Sequence, residues 1–281
     1  MRAQTAALGL AALGSLVAAV QPAVHSGFNV IWSDTFPGQA GDPPNDKLWN
    51  IAQDVHTNNE VQEYTNASHN LQITGGQTLQ IIPRKSASGA WTSGRIETQA
   101  AFAPAANTTT LVEASIRFGG HAAAAKQGLW PAFWLLGDSM RHGTAWPACG
   151  ELDVLEMING RPTGYGTAHC AACGGPAFAQ GSVAVPDNDW HAWSLVVDRS
   201  RYGAAGWTAE TITWWRDGAL FHELAGGDVD EATWATLAHS PLYIILNVAV
   251  GGDWPGNPDE ATLDGYGAMM EVEYVAVYEA A

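Results

Sequence analysis

"LVEASIRF", residues 111–118, puts Val112, Ala114, Ile116 and Phe118 on one side of an extended chain and Glu113, Ser115 and Arg117 on the other. Alternation of period two is the pattern of a β-strand with one apolar face. The same reading extends outward in both directions. "NLQITGGQTLQII" (70–82) reads as two strands joined at Gly75-Gly76, and "TITWWRDGALF" (211–221) turns at Asp217-Gly218, a hairpin signal. "PLYIILNVAV" (241–250) and "MMEVEYVAVYE" (269–279) read as buried late strands. Only "DVDEATWATLA" (228–238), with an Asp at its start, reads as a short helix. The 31 Gly and 14 Pro are spread along the chain, so no linker, repeat or low-complexity block divides it. Many strands, Gly-rich turns and almost no helix predict an all-β sandwich.

The 281 residues are 47% hydrophobic and 14% charged, enough apolar material for a large core and unlike a disordered chain. One domain is the default for an all-β chain of this length. Twelve Lys plus Arg against 28 Asp plus Glu give a formal charge of −16, which argues against a nucleic-acid backbone or an anionic membrane as partner. A neutral ligand is indifferent to that charge.

Residues 1 to about 20 have the layout of a secretory signal: Arg2, an Ala/Leu-rich middle, and small residues at Ala18 and Ala19. Pro22 stops any helix just beyond. No hydrophobic tail follows residue 279, so the expectation is a soluble, extracellular, monomeric protein whose domain covers 27–281. "NAS" at Asn66 and "NTT" at Asn107 are glycosylation sequons. The three cysteines are an odd number for that compartment; the expected disulfide joins Cys149 to Cys170 or Cys173. A zinc site from His169, Cys170, Cys173 and Cys149 is the competing arrangement, against which secretion and the missing second ligand pair weigh.

"GELDVLEMING" (150–160) puts three carboxylates into a stretch that otherwise reads as buried strand. On a helix, Glu151 and Glu156 would point about 140° apart. On a regular strand, Glu151 and Asp153 share a face and Glu156 takes the other. A β-bulge at Val154-Leu155 would return Glu156 to the common face, and bulges are frequent beside active sites. Three acids on one face repel, so the arrangement implies a functional gain. Two carboxylates flanking a glycosidic bond supply one, with one ionised as nucleophile or base and the other holding a proton. A cation site or a solvated acidic face are the plain alternatives. The neighbourhood favours sugar: Trp130, Trp134, Trp146 and Trp254 lie in flanking segments of a chain with 13 Trp, and flat aromatic faces suit sugar rings.

"GLWPAFWLLG" (128–137), "WPACGELDVLEM" (146–157) and "LNVAVGGDWPG" (246–256), in this order, resemble glycoside hydrolase family 16, its laminarinase-like endo-β-1,3(4)-glucanases above all. The likeness runs from "WSDTF" (32–36) to "VEYVAVYE" (272–279). It implies a concanavalin-like β-jelly-roll of two curved antiparallel sheets, with a substrate cleft on the concave face, and retaining hydrolysis. It implies Glu151 as nucleophile, Asp153 as its supporting carboxylate and Glu156 as acid and then base. It also makes Asn59, Arg95, Trp130, Trp134, Trp146, His169, Asn247 and Trp254 candidate sugar contacts; a structural role beside the cysteines competes for His169. No cofactor is required by such chemistry. Relatives with calcium usually carry "WSDEF" and an Asp in the last strand, where this chain has Thr35 and Glu273, so a calcium at Glu273 is not the leading expectation.

The expected function is a secreted endo-β-1,3-glucanase with a β-glucan polysaccharide as its partner, active also on mixed β-1,3/1,4-glucan in one variant of the reading. Endo-β-1,3-galactanases and transglycosylases share the acids and are the enzymatic alternatives. A non-catalytic β-glucan-binding lectin on the same sandwich is the alternative of another class, and the presence of all three acids argues against it.

Overall fold

A computed structural model of the chain describes residues 20–171, 173, 179–200 and 206–281. Residues 1–19, the bulk of the predicted leader, lie outside the described residues. The expected strands form. Residues 111–118 lie in a ten-residue strand, Thr109–Phe118, whose Val112, Ala114 and Ile116 enter the core. Gly75-Gly76 separates Leu71–Ile73 from Leu79–Ile81. The Thr211–Arg216 and Ala219–Ala225 hairpin turns through Asp217 (φ 50°) and Gly218 (φ 74°), the two positive φ values that a tight hairpin turn with native twist needs.

Two large antiparallel sheets stack. One orders Ala219–Ala225, Thr211–Arg216, His191–Asp198, Thr109–Phe118, Met270–Ala280, Leu79–Ile81 and Leu71–Ile73, with Phe28–Asp34 also pairing with Met270–Ala280. The other orders Gln180–Ala184, Thr163–His169, Glu151–Glu156, Leu129–Gly137, Leu242–Val250, Arg95–Thr98 and Trp49–Ile51. Leu152, Val154, Leu155, Phe133, Leu135, Ile244 and Leu246 of the second sheet meet Val112, Ile116, Trp193, Leu195, Trp214, Val275 and Val277 of the first in one core. All nine residues of Leu242–Val250 are buried, because this strand is central in its sheet. No helix among the described residues is long and apolar enough to cross a membrane.

Two expectations shift, and a buried polar cluster joins them. The helix starts later than residue 228: Asp230 caps it, accepting from the Thr233 N–H at 3.0 Å, and Glu231–Trp234 runs into a wider turn over Ala235–His239. Glu113 and Ser115, on the polar side of "LVEASIRF", are buried. Glu113 accepts from Ser194 Oγ (2.7 Å) and Tyr274 OH (2.8 Å) and lies 3.1 Å from His25 Nε2. Residues before the expected start at 27 take part in this covering, with Val20 and Ala23 packed against Leu111, Tyr274, Ala276 and Tyr278.

The disulfide is Cys170–Cys173, and Cys149 is a buried free thiol. Neither expected pairing of Cys149, nor a zinc site using all three sulfurs, survives. Packing is the reason. Cys149 lies in the turn before the acidic strand and packs with Leu136, Tyr243 and Ile245. Cys170 follows His169, the register partner of Glu151, and therefore points to the opposite side, into the core with Leu152 and Trp234.

Candidate active site

The acidic strand Glu151–Glu156 carries the predicted bulge. Against Leu129–Gly137, Phe133 pairs with Leu155 and Trp134 with Asp153, so Val154 is the extra residue. Against Thr163–His169, Asp153 pairs with Thr167 and Glu156 with Tyr165, again one residue too many on the acidic strand. Val154 and Leu155 both turn into the core, and Glu151, Asp153 and Glu156 all line one cleft of about 510 Å³. A partner from the other sheet sits behind the bulge: Trp214 Nε1 donates to the Asp153 carbonyl at 2.7 Å.

Arg95, Trp130, Trp134, Trp146 and Asn247 line the same cleft. Trp130 Nε1 donates to Glu156 Oε1 (2.9 Å) and Trp134 Nε1 to Asn247 Oδ1 (2.8 Å). The Arg95 guanidinium lies 5.0 Å over the Trp134 ring while bonded to Glu97 at 2.7 Å. Trp146 is half exposed, its ring 5.7 Å from that of His169. His169 Nε2 sits 3.2 Å from Asp153 Oδ2 and 3.7 Å from Glu151 Oε1, so it belongs to the acids rather than to the cysteines.

Two expected contacts are placed differently. Asn59 does not line the cleft; its Nδ2 donates to Asp253 Oδ1 at 2.8 Å, and Asn58 lines the cleft in its place. Both adopt positive φ (52° and 56°), so the chain is turning and a one-residue assignment from sequence has no periodicity to rest on. Trp254 supports from outside, edge-on to Trp130 (5.6 Å) and Tyr165 (5.2 Å). Glu273 is on the other sheet and accepts from Ser115 Oγ at 2.6 Å. The one group of three His, Cys, Asp or Glu donors close enough to share a metal, among the described residues, is Glu151, Asp153 and His169.

Residues that sequence reading missed support Asn247, and one of them, Glu60, lines the cleft. Tyr64 OH bridges Asn247 Nδ2 (3.1 Å) and Glu60 Oε2 (3.2 Å), and Gln62 Nε2 donates to the same Glu60 oxygen at 2.7 Å. The period-two spacing of Glu60, Gln62 and Tyr64 within "NNEVQEYT" is the signal that could have found them.

The electrostatics raise all three acids. Burial, and then the Asp153 charge, hold Glu151 well above the usual carboxylate range, with Glu156 adding to the rise and His169 and Arg95 opposing it. Glu156 is also raised by burial and by Asp153, with the Trp130 hydrogen bond and His169 opposing. Burial alone pushes Asp153 up to about 8. Both outer acids are therefore proton-retaining, with Arg95 opposing the rise at Glu151 and the Trp130 hydrogen bond opposing it at Glu156.

The family described as Glycosyl hydrolases family 16 matches residues 53–274. A beta-glucanase of Rhodothermus marinus is 28% identical over 266 residues, covering 89% of this chain and 85% of that protein. The glucan endo-1,3-beta-glucosidase A1 of Niallia circulans is 29% identical over 92% of this chain, which spans only 39% of that longer protein. The crystal structure of an endo-1,3-beta-glucanase from Streptomyces sioyaensis superposes with a TM-score of 0.86 at 32% identity, over 93% of this chain and 100% of that one.

Proposed function

The chain belongs to glycosyl hydrolase family 16, and from that premise we propose that it is a secreted endo-β-1,3-glucanase that hydrolyses with retention of configuration. Its relatives are named for action on β-1,3-glucan and β-glucan. In this reading Glu151 attacks the anomeric carbon while Glu156 gives its proton to the departing glycosidic oxygen. The covalent glycosyl-enzyme is then resolved by water, with Glu156, now ionised, taking the proton. The assignment of roles is carried over from the family motif that "GELDVLEM" resembles; burial and the Asp153 charge raise Glu151 and Glu156 alike, so either can hold a proton in the cleft.

The observation that carries the proposal is the bulge, which brings all three acids to one cleft face. Trp130, Trp134 and Trp146 offer ring faces for sugar in that cleft. Secretion is supported by the composition of residues 1–20 and by the Cys170–Cys173 disulfide.

The test is a product profile on linear β-1,3-glucan, mixed-linkage β-glucan and β-1,3-galactan, with Glu151→Gln as control. Short oligomers from the first substrate, abolished in the variant, are the expected outcome. Cleavage of galactan alone overturns the substrate, and a variant that keeps substantial activity overturns Glu151 as nucleophile. Binding of glucan without any cleavage would leave a lectin.

A further inference from the structure

The hydrolytic reading uses Glu151 and Glu156, and leaves unexplained why His169 Nε2 faces the inner oxygen of Asp153 without a hydrogen bond. Asp153 Oδ2 is buried and has no hydrogen-bond partner, although the imidazole nitrogen lies 3.2 Å away. A buried carboxylate oxygen with no donor is costly, and each such group in a folded protein calls for a reason. The third atom of the group, Glu151 Oε1, is 3.7 Å from the same nitrogen, and all three donor atoms lie within 4.8 Å of one another.

We propose that Glu151, Asp153 and His169 form a chelating site for a divalent first-row transition ion, with zinc as its representative, and that the bound ion blocks hydrolysis by occupying Glu151. Ligand atoms at about 2.0–2.1 Å on a tetrahedral ion stand about 3.3–3.4 Å apart. The two distances from His169 bracket that value; the remaining pair lies within 4.8 Å, and Glu151, the more exposed of the two carboxylates, is the one that adjusts. The ligands are held by strand pairing, Glu151 opposite His169 and Asp153 opposite Thr167, so little ordering is left for the ion to impose. One imidazole nitrogen with two carboxylates suits zinc and its neighbours, whereas calcium takes six to eight oxygens. Glu156, whose Oε1 accepts from Trp130, is not part of the clustered set. An ion here leaves a coordination position facing the cleft and competes with sugar for Glu151. Inhibition rests on the hydrolytic reading above; binding does not.

The test is calorimetric titration of zinc chloride into the chelator-stripped full chain, with thermal melting alongside, for the wild type, His169→Gln and Glu151→Gln. The expected result is one zinc per chain, a raised melting temperature, no response to calcium, and affinity about 100-fold or more weaker in each variant. A direct ligand counts for no less than the outer partners of such sites, whose loss costs about 10–100-fold. Far-UV circular dichroism verifies that each variant is folded, and either variant alone suffices. Absence of one-to-one binding overturns the proposal, as does binding unchanged in both variants, which would put zinc on other histidines. A chain that binds zinc as expected but cuts no glucan refutes the substrate reading and leaves the metal site standing.

Discussion

Replacing Trp130 by Phe keeps an aromatic ring in the cleft and removes the indole N–H that reaches Glu156 Oε1 at 2.9 Å. That hydrogen bond stabilises the carboxylate more than the acid and so holds the Glu156 pKa down against burial and Asp153. A hydrogen bond to a charged group contributes about 1.5–3 kcal/mol, and one pKa unit is about 1.4 kcal/mol, so its full loss corresponds to roughly 1–2 units upward. The protonated carboxyl also accepts from the indole, though more weakly, and water can enter beside the smaller ring. About half of that figure, roughly 0.5–1 unit, is therefore the expected shift. Glu156 must hold its proton to act as acid, so kcat/KM falls as pH rises through its pKa. In Trp130→Phe the alkaline limb should accordingly move up, while the acidic limb, governed by Glu151, moves less. The assay is kcat/KM on soluble β-1,3-glucan across pH, and the limb position matters rather than the height, since the smaller ring also weakens sugar stacking. An alkaline limb that stays in place or moves to lower pH would refute the assignment of Glu156 as the acid.

Glu156→Gln should raise thermal stability at neutral pH while abolishing hydrolysis. A carboxyl whose folded pKa lies above its unfolded value contributes stability that is present below the unfolded value of about 4.5 and is lost as pH rises through the folded one. The neutral amide escapes that loss, so its advantage, about 2–4 °C per kcal/mol, should vanish near pH 4 when melting is followed against pH. Trp214→Phe removes the donor to the Asp153 carbonyl behind the bulge and should destabilise by about 1–3 kcal/mol in denaturant titration. It should lower kcat as well, because the bulge aims Glu156; unchanged activity would show that the bulge holds without it. Thiol titration of the unfolded, non-reduced chain should find one reactive group, and peptide mapping should place it at Cys149. Label at Cys170 or Cys173 would contradict the observed pairing.

The strands and the convergence of the three acids were legible in the chain because both depend on short-range periodicity. "LVEASIRF" can satisfy its apolar residues only as a strand, and three acids at 151, 153 and 156 cannot share a face without one extra residue between them. The turn at Asp217-Gly218 was equally local, since two successive positive φ values suit these residue types. Local signals failed where the chain was turning or where two acids could serve as a cap. Asn58 replaced Asn59 at the cleft, and Asp230 replaced Asp228 at the start of the helix.

Contacts between distant segments had no local signature. Whether Cys149 and Cys170 could meet depended on which cluster each packs into: Cys149 joins Leu136, Tyr243 and Ile245, while Cys170 enters the main core. The register of Glu151 opposite His169 delivers His169 to Asp153, and only the stacking of the sheets brings Trp214 beneath the bulge. Glu113 is buried because His25, Ser194 and Tyr274, far apart in sequence, converge on it. The sequence alone determined which residues lie on a common strand face, because alternation is a property of one strand. Tertiary structure decided which faces meet, because register and sheet stacking are set by the sum of many weak contacts that no single stretch encodes.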